Sequence, residues 1–161
     1  MRLLAEAVDE AKGRTPEPKH EVKIDLPVDA HLPESWISKE PLRLEAYRRI
    51  AEAPTLEALD DARKELTDRF GPLPPQAETL LTVAALRFEI GPRGVRTVTH
   101  QNGRIRLEPF VLLESEQVRV RYRFPGSIFK PQTYTVVLPV PRDVQNVAAW
   151  LLDAARDILS P

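Results

Sequence analysis

The spacing of apolar residues changes once along this chain, and that change limits the folds open to it. From about residue 41 to residue 90 apolar side chains recur three and four apart, the spacing of helices with one buried stripe. From about residue 97 to residue 140 they recur at every second position, the spacing of strands with one buried face. Helices and strands segregated into consecutive blocks indicate the α+β class, with an antiparallel sheet covered on one face. The 16 prolines and only six glycines fit stiff joints between elements better than glycine-rich ligand loops.

The punctuation sharpens this reading. Residues 41–53 place Leu44, Tyr47, Ile50 and Ala51 together. Residues 55–70 open on Thr55, a good helix cap, and repeat Leu56, Leu59, Leu66 and Phe70 before the stop Gly71-Pro72. Residues 74–90 carry Ala77, Leu80, Leu81, Ala84 and Ile90 and end at Gly91-Pro92. Asn102-Gly103 is the strongest short hairpin signal, because both central positions of a type I′ turn need positive φ. That turn sets Val98 opposite Leu107 and His100 opposite Ile105, with Thr97, Thr99, Arg104 and Arg106 on the other face. The alternation in 117–124 predicts a further strand, with Val118, Val120, Tyr122 and Phe124 facing the core and Arg119, Arg121 and Arg123 facing out. Another is expected over 133–140, with Tyr134, Val136, Leu138 and Val140 on one side. A last helix is expected over 142–159, with Pro141 at its start. Residues 22–28 alternate Val22, Ile24, Leu26 and Val28 with Lys23 and Asp25, and Pro27 marks that strand as an edge. The expected order is a strand, a three-helix segment, an antiparallel sheet of about four strands, and a C-terminal helix packed on the sheet.

Ahead of this, residues 1–13 read as a short amphipathic helix stopped by Gly13, and residues 14–21 as a proline-bearing linker. The expected organisation is therefore the end of a preceding module plus linker over 1–21, and one domain over 22–161. On this reading the chain is a piece of a longer protein.

Composition closes several routes to function. There is no cysteine, hence no disulfide framework and no thiolate site, and three scattered histidines (His20, His31 and His100) make a poor metal-ligand set. The longest near-continuous apolar stretch, Leu80 to Leu86, is too short to span a bilayer, so no membrane role is expected. Phosphate-cradling, dinucleotide and nucleophile-elbow motifs are missing, and no cofactor is implied. Net charge is −1, against bulk nucleic-acid binding. The charge is unevenly spread. Residues 1–84 hold 12 basic against 17 acidic side chains, and residues 85–130 hold 9 against 4.

Two charged constellations follow. On the helix over 55–70, Asp61, Glu65 and Asp68 cluster opposite the apolar stripe. Like charges three and four apart each cost an isolated helix about 0.2–0.5 kcal/mol. Asp68 also lies in the last turn, where the helix dipole disfavours an anion. A cationic partner would offset those costs. Salt bridges from Lys64 and Arg69 within the same helix would equally make this an ordinary solvated face. As catalytic groups these carboxylates lack the cleft that general acid–base chemistry needs. The second constellation is Arg104, Arg106, Arg119, Arg121 and Arg123, all expected on one sheet face, where they could grip phosphates. No exposed aromatic accompanies them for base stacking, and long basic side chains also suit exposed strands that must not aggregate.

Three stretches resemble one family. They are IDLPVDAHLPESWI (Ile24 to Ile37), RLEAYRRIA (Arg43 to Ala51), and ELTDRFGPLP (Glu65 to Pro74) followed by LLTVAALR (Leu80 to Arg87). In this order and spacing they resemble the C-terminal domain of bacterial transcription-repair coupling factor (Mfd), over roughly residues 22–92. MRLLAEAV at the start is similar to the end of the DNA translocase motor that precedes the domain in that family. The resemblance implies a non-catalytic regulatory domain of a cytoplasmic protein that binds stalled RNA polymerase and DNA through other domains. The domain would pack on the protein's own N-terminal UvrB-like module, cover the surface that binds UvrA, and restrain the motor. It further implies that the acids of the ELTDRFG stretch, Glu65 and Asp68, face that module. Asp61 is added from its helical position.

Overall fold

In the computed structural model, which describes residues 21–161, five strands and five helices follow in the order β1 (Lys23–Asp25), α1 (Glu40–Glu52), α2 (Leu56–Phe70), α3 (Pro75–Ile90), β2 (Thr97–Gln101), β3 (Arg104–Glu108), α4 (Glu114–Arg123), β4 (Ile128–Lys130), β5 (Thr135–Pro139) and α5 (Val147–Leu159). The expected N-terminal helix, most of the linker and His20 lie outside the described residues. The strands form one sheet in the order β1-β2-β3-β5-β4. The class is α+β, as the apolar spacing indicates.

The hairpin forms as its turn requires. Asn102 and Gly103 have φ of 54° and 74°. Val98 pairs with Leu107 and His100 with Ile105, the expected register. Val98, Ile105, Leu107, Val136 and Leu138 are all at or below 1% exposure and form the inner face of the sheet. Thr97, Thr99, Arg104 and Arg106 point outward and are exposed. β1 is an edge strand, but it runs parallel to β2, so the sheet is mixed, with four antiparallel strands and one parallel edge. The Arg87 Nε donates to the Val22 carbonyl at 3.2 Å and ties α3 to the start of β1.

Helix α3 is buried nearly all round: Ala77, Thr79, Leu81, Val83, Ala84, Ala85, Leu86 and Ile90 are all buried. It packs chiefly on α5 and also on α2 and α1. At their N-terminal ends α3 and α5 are joined through Asn146. Its side chain accepts from the Ala149 N–H and donates to the Thr79 hydroxyl, both at 3.0 Å. Asn146 is therefore the cap of α5, which begins at Val147 rather than near Pro141. α1 buries Ala46 and Ile50, with Tyr47 half-buried, whereas Leu44 and Ala51, expected on that stripe, are exposed. The true stripe is displaced because α1 packs on α2 through its Ala46 side.

The largest departure from the sequence reading is 117–124, which is helical, not a strand. Alternation would bury Val118, Val120, Tyr122 and Phe124 together. The helix instead buries Val120, half-buries Phe124 four residues on, and leaves Val118 and Tyr122 exposed. Three local features favour the helix. Residues 114–121 are rich in Glu, Gln and Arg, good helix formers. The Glu116 carboxylate accepts from the Leu113 N–H at 2.8 Å, the return half of a capping box. Acids in the first turn and arginines in the last complement the helix dipole. The fourth antiparallel strand is supplied by Ile128–Lys130, which carries no alternation long enough to signal it.

The buried carboxylate of Glu116 receives both terminal nitrogens of Arg93, at 2.8 and 2.6 Å, and Arg93 also donates to the Val111 carbonyl at 3.0 Å. This fork clamps α4 to the turn after α3. The Arg93 hydrogen bonds hold the Glu116 carboxyl below its ordinary pKa, outweighing the opposing effect of burial. A lowered folded-state pKa stabilises the fold above the unfolded value, about 4.3, and that contribution disappears as pH falls through the folded value. Glu116→Ala is expected to cost about 1–3 kcal/mol at neutral pH, because it leaves the Arg93 guanidinium unpaired. The loss should shrink toward zero in urea titrations carried well below pH 4. A pH-independent loss would mean that packing, not charge, holds α4.

Candidate functional site

Helix α2 has one face in the core and one in solvent. The Thr55 hydroxyl accepts from the Ala58 N–H at 3.0 Å and starts the helix where the sequence signals it. Leu59, Ala62 and Leu66 are buried, and Phe70 closes the stripe against Trp36, edge to face with centroids 5.9 Å apart. Leu56, expected at the head of the stripe, is the first residue of the helix and is exposed. Gly71 has φ of 91°, a conformation that favours glycine, and its N–H donates to the Thr67 carbonyl to finish the helix.

The three acids expected at the site differ in their surroundings. Glu65 forms ion pairs with Arg49 of α1 and, at 3.6 Å, with Arg69 one turn on. Arg69 also approaches Glu45 at 3.8 Å and lies over the Phe70 ring at 5.0 Å. These residues, with Leu42, Ala46 and Leu66, line a shallow groove of about 340 Å³ between α1 and α2. Asp61 and Asp68 are exposed and form no ion pair with any described residue. Lys64, a candidate partner for Asp68, pairs with Asp60 at 3.2 Å instead. The like-charge cost along α2 is thus offset at Glu65 by α1 and left standing at Asp61 and Asp68. Sequence spacing missed Arg49, because only the packing of α1 on α2 brings it to Glu65. Asp68 does not line the groove, so Glu65 and Asp68 are not a carboxylate pair facing a common cleft.

The arginine constellation does not share a face. Arg104 and Arg106 lie on the outer side of the sheet, with Arg106 3.9 Å from Glu108. Arg119 points the other way and donates to the carbonyls of Ile158 at 2.6 Å and Ser160 at 2.5 Å, capping the C-terminus of α5. Arg123 pairs with Asp157 at 3.2 Å. Arg121 is exposed and unpaired among the described residues. The reason for the correction is the helical conformation of 114–123, which spreads every second residue round a cylinder. Of the histidines, His31 is bound to Asp29 at 2.7 Å and His100 is half-buried in the hairpin. Among the described residues there is no cluster of His, Cys, Asp or Glu that could hold a metal ion, and no helix long and apolar enough to cross a membrane.

A protein-family model, the TRCF domain, matches residues 26–118. The transcription-repair-coupling factor of Mycobacterium tuberculosis (strain CDC 1551 / Oshkosh) is 43% identical over 137 residues, covering 84% of this chain and 11% of that protein. The chain belongs to the transcription-repair coupling factor family. The Escherichia coli (strain K12) factor is 40% identical over 101 residues, and the Bacillus subtilis (strain 168) factor 31% identical over 107, each match covering 9% of the relative. The chain spans about a tenth of the length of the curated relatives it matches. The fold is that of a solved structure, the C-terminal domain of transcription-repair coupling factor, with a TM-score of 0.75 over 90% of this chain and 96% of that one, at 20% identity. The resemblance drawn from the three sequence blocks is thereby supported by family model, relatives and fold alike.

The contrast between the α2 acids gives a stability expectation. Glu65→Ala removes a helix–helix ion pair and should cost about 0.5–1 kcal/mol, whereas Asp68→Ala should change stability by less than about 0.5 kcal/mol or raise it. Urea denaturation of the two variants at low salt checks this. Equal losses would mean that Asp68 has a stabilising partner within the domain.

Proposed function

We propose that this chain is a non-catalytic regulatory domain that packs, through the outer face of α2, on a UvrB-like module of its own parent protein. In doing so it masks the surface that takes UvrA and restrains a DNA translocase until stalled RNA polymerase is engaged. The observation that carries this reading is the division of α2: one face is built into the core, and the other leaves Asp61 and Asp68 without a described cationic partner beside Glu65. Carboxylates kept at a local cost suit a basic partner surface.

The physics of a tethered contact fits this arrangement. Two modules of one chain meet at an effective concentration on the order of mM, so the contact can be polar, weak and releasable. Charged groups at its rim make it salt-sensitive and give it a preferred orientation. Asp61 and Asp68 are the acids whose charge no described residue takes up, and Glu65 divides its charge between Arg49, Arg69 and the partner. The competing idea, phosphate binding by Arg104, Arg106, Arg119, Arg121 and Arg123, has lost the common face it required, and Arg119 and Arg123 are engaged with α5.

In the full-length parent, Glu65→Ala with Asp68→Ala is expected to raise affinity for UvrA several-fold while the isolated domain stays folded. Asp61→Ala with Asp68→Ala, which spares the Arg49 pair, should do the same. Unchanged UvrA binding in both double variants, measured by titration at low salt, would overturn the assignment of this face.

A further inference from the structure

Glu65 is engaged by its own domain before it meets any partner. Both of its carboxylate oxygens face cations: Oε1 pairs with Arg49 of α1, and Oε2 lies 3.6 Å from Arg69. The two arginines are not equivalent. Arg69 also approaches Glu45 at 3.8 Å and lies over the Phe70 ring at 5.0 Å, so it keeps other partners when Glu65 is withdrawn. Arg49 pairs with no other carboxylate among the described residues, and it crosses from α1 to reach this one. The Arg49 and Glu65 side chains are each 42% exposed, so an incoming charged group can reach the pair. Glu45 and Glu65 against Arg49 and Arg69 leave the lining of the α1–α2 groove without net charge.

We propose that Arg49 is an internal stand-in for the partner's cation: it neutralises Glu65 while the domain is released and yields it when the domain docks. This rests on the reading of α2 as the docking face. A carboxylate that is already paired offers less to an incoming guanidinium or ammonium group, so Arg49 weakens the contact and favours its release. Arg49 also holds Glu65 in one place, which lowers the ordering cost of docking. The two effects oppose each other, and the charge effect is the larger. A like charge beside the docking cation acts more strongly than the ordering of one half-exposed side chain. Displacement does not strand Arg49, because it lies in the last turn of α1, where the helix dipole favours a cation. Exchange of one cation for another at Glu65 is therefore close to balanced, which suits a contact that has to open.

Arg49→Gln in the full-length parent, titrated with UvrA at low salt, tests this. Tighter docking should lower the apparent affinity for UvrA about two- to fivefold, the range that one exposed ion pair supplies. High salt should shrink the difference. Arg48→Gln removes the same charge from the neighbouring exposed position, which pairs with no described carboxylate, and should have a much smaller effect. In a Glu65→Ala background, Arg49→Gln should lose most of its effect, because the coupling runs through that carboxylate. Urea denaturation checks that each variant stays folded. If the α2 acid variants alter UvrA binding while Arg49→Gln leaves it unchanged or raises it, the stand-in role is overturned and the docking face stands. An Arg49→Gln effect that is equal with and without Glu65, or that Arg48→Gln matches, would also overturn it. If the acid variants themselves leave UvrA binding unchanged, the docking face falls and this proposal falls with it.

Discussion

Burial of α3 on almost every side is the constraint on which the rest of the domain depends. A helix apolar nearly all round must be enclosed, and here α1, α2 and α5 pack against it, while its buried residues share one core with the inner face of the sheet. The polar groups that α3 does carry are used as ties to neighbouring elements. Thr79 bonds Asn146 at the start of α5, Arg87 bonds the Val22 carbonyl before β1, Glu78 pairs with Arg63 of α2, and Glu89 with Arg156 of α5 at 3.1 Å. An element so enclosed sets the spacing of everything around it. The outer faces of α2 and α4 are the far sides of elements packed on this core.

Those two faces are built differently. The face of α2 is charged, and part of its charge is already balanced across the α1 groove, in a pre-arranged network in which Arg49 and Arg69 pair with Glu65. Preorganisation of this kind lowers the cost of ordering side chains on contact. The face of α4 is apolar at its centre and charged at its ends. The arginine fork on Glu116 ties α4 to the turn after α3.

Much of the fold was legible because its signals are local. Asn102-Gly103 dictates a turn through the φ it demands, and the register of β2 and β3 follows from a two-residue loop. Thr55 and Gly71 bound α2 because a cap and a stop act within one turn. The segment 117–124 misled because alternating apolar and basic residues satisfy a strand, while a helix that buries only Val120 and Phe124 satisfies the same residues. The deciding interactions are the Arg93 fork on Glu116 and the reach of Arg119 to the end of α5, which join residues 23 and 39 positions apart. The same holds for the candidate site. The cluster of Asp61, Glu65 and Asp68 on α2 was visible from helical spacing, but the difference between Glu65 and Asp68 was not, since Arg49 comes from another helix.

The amino-acid sequence alone determined the class of the fold, the boundaries of α2, the hairpin register, the family, and the acidic face of α2. Each of these rests on periodicity, on backbone conformations that particular residues permit, or on residue order. Tertiary structure alone decided that β1 runs parallel to β2, that 114–123 is a helix, and that five arginines expected on one face are divided between the sheet and α4. It also decided that Glu65 is paired while Asp61 and Asp68 keep their charge unspent. These outcomes depend on which distant groups meet, and burial and ion pairing between distant groups override local preferences that differ by only a few tenths of a kcal/mol per residue.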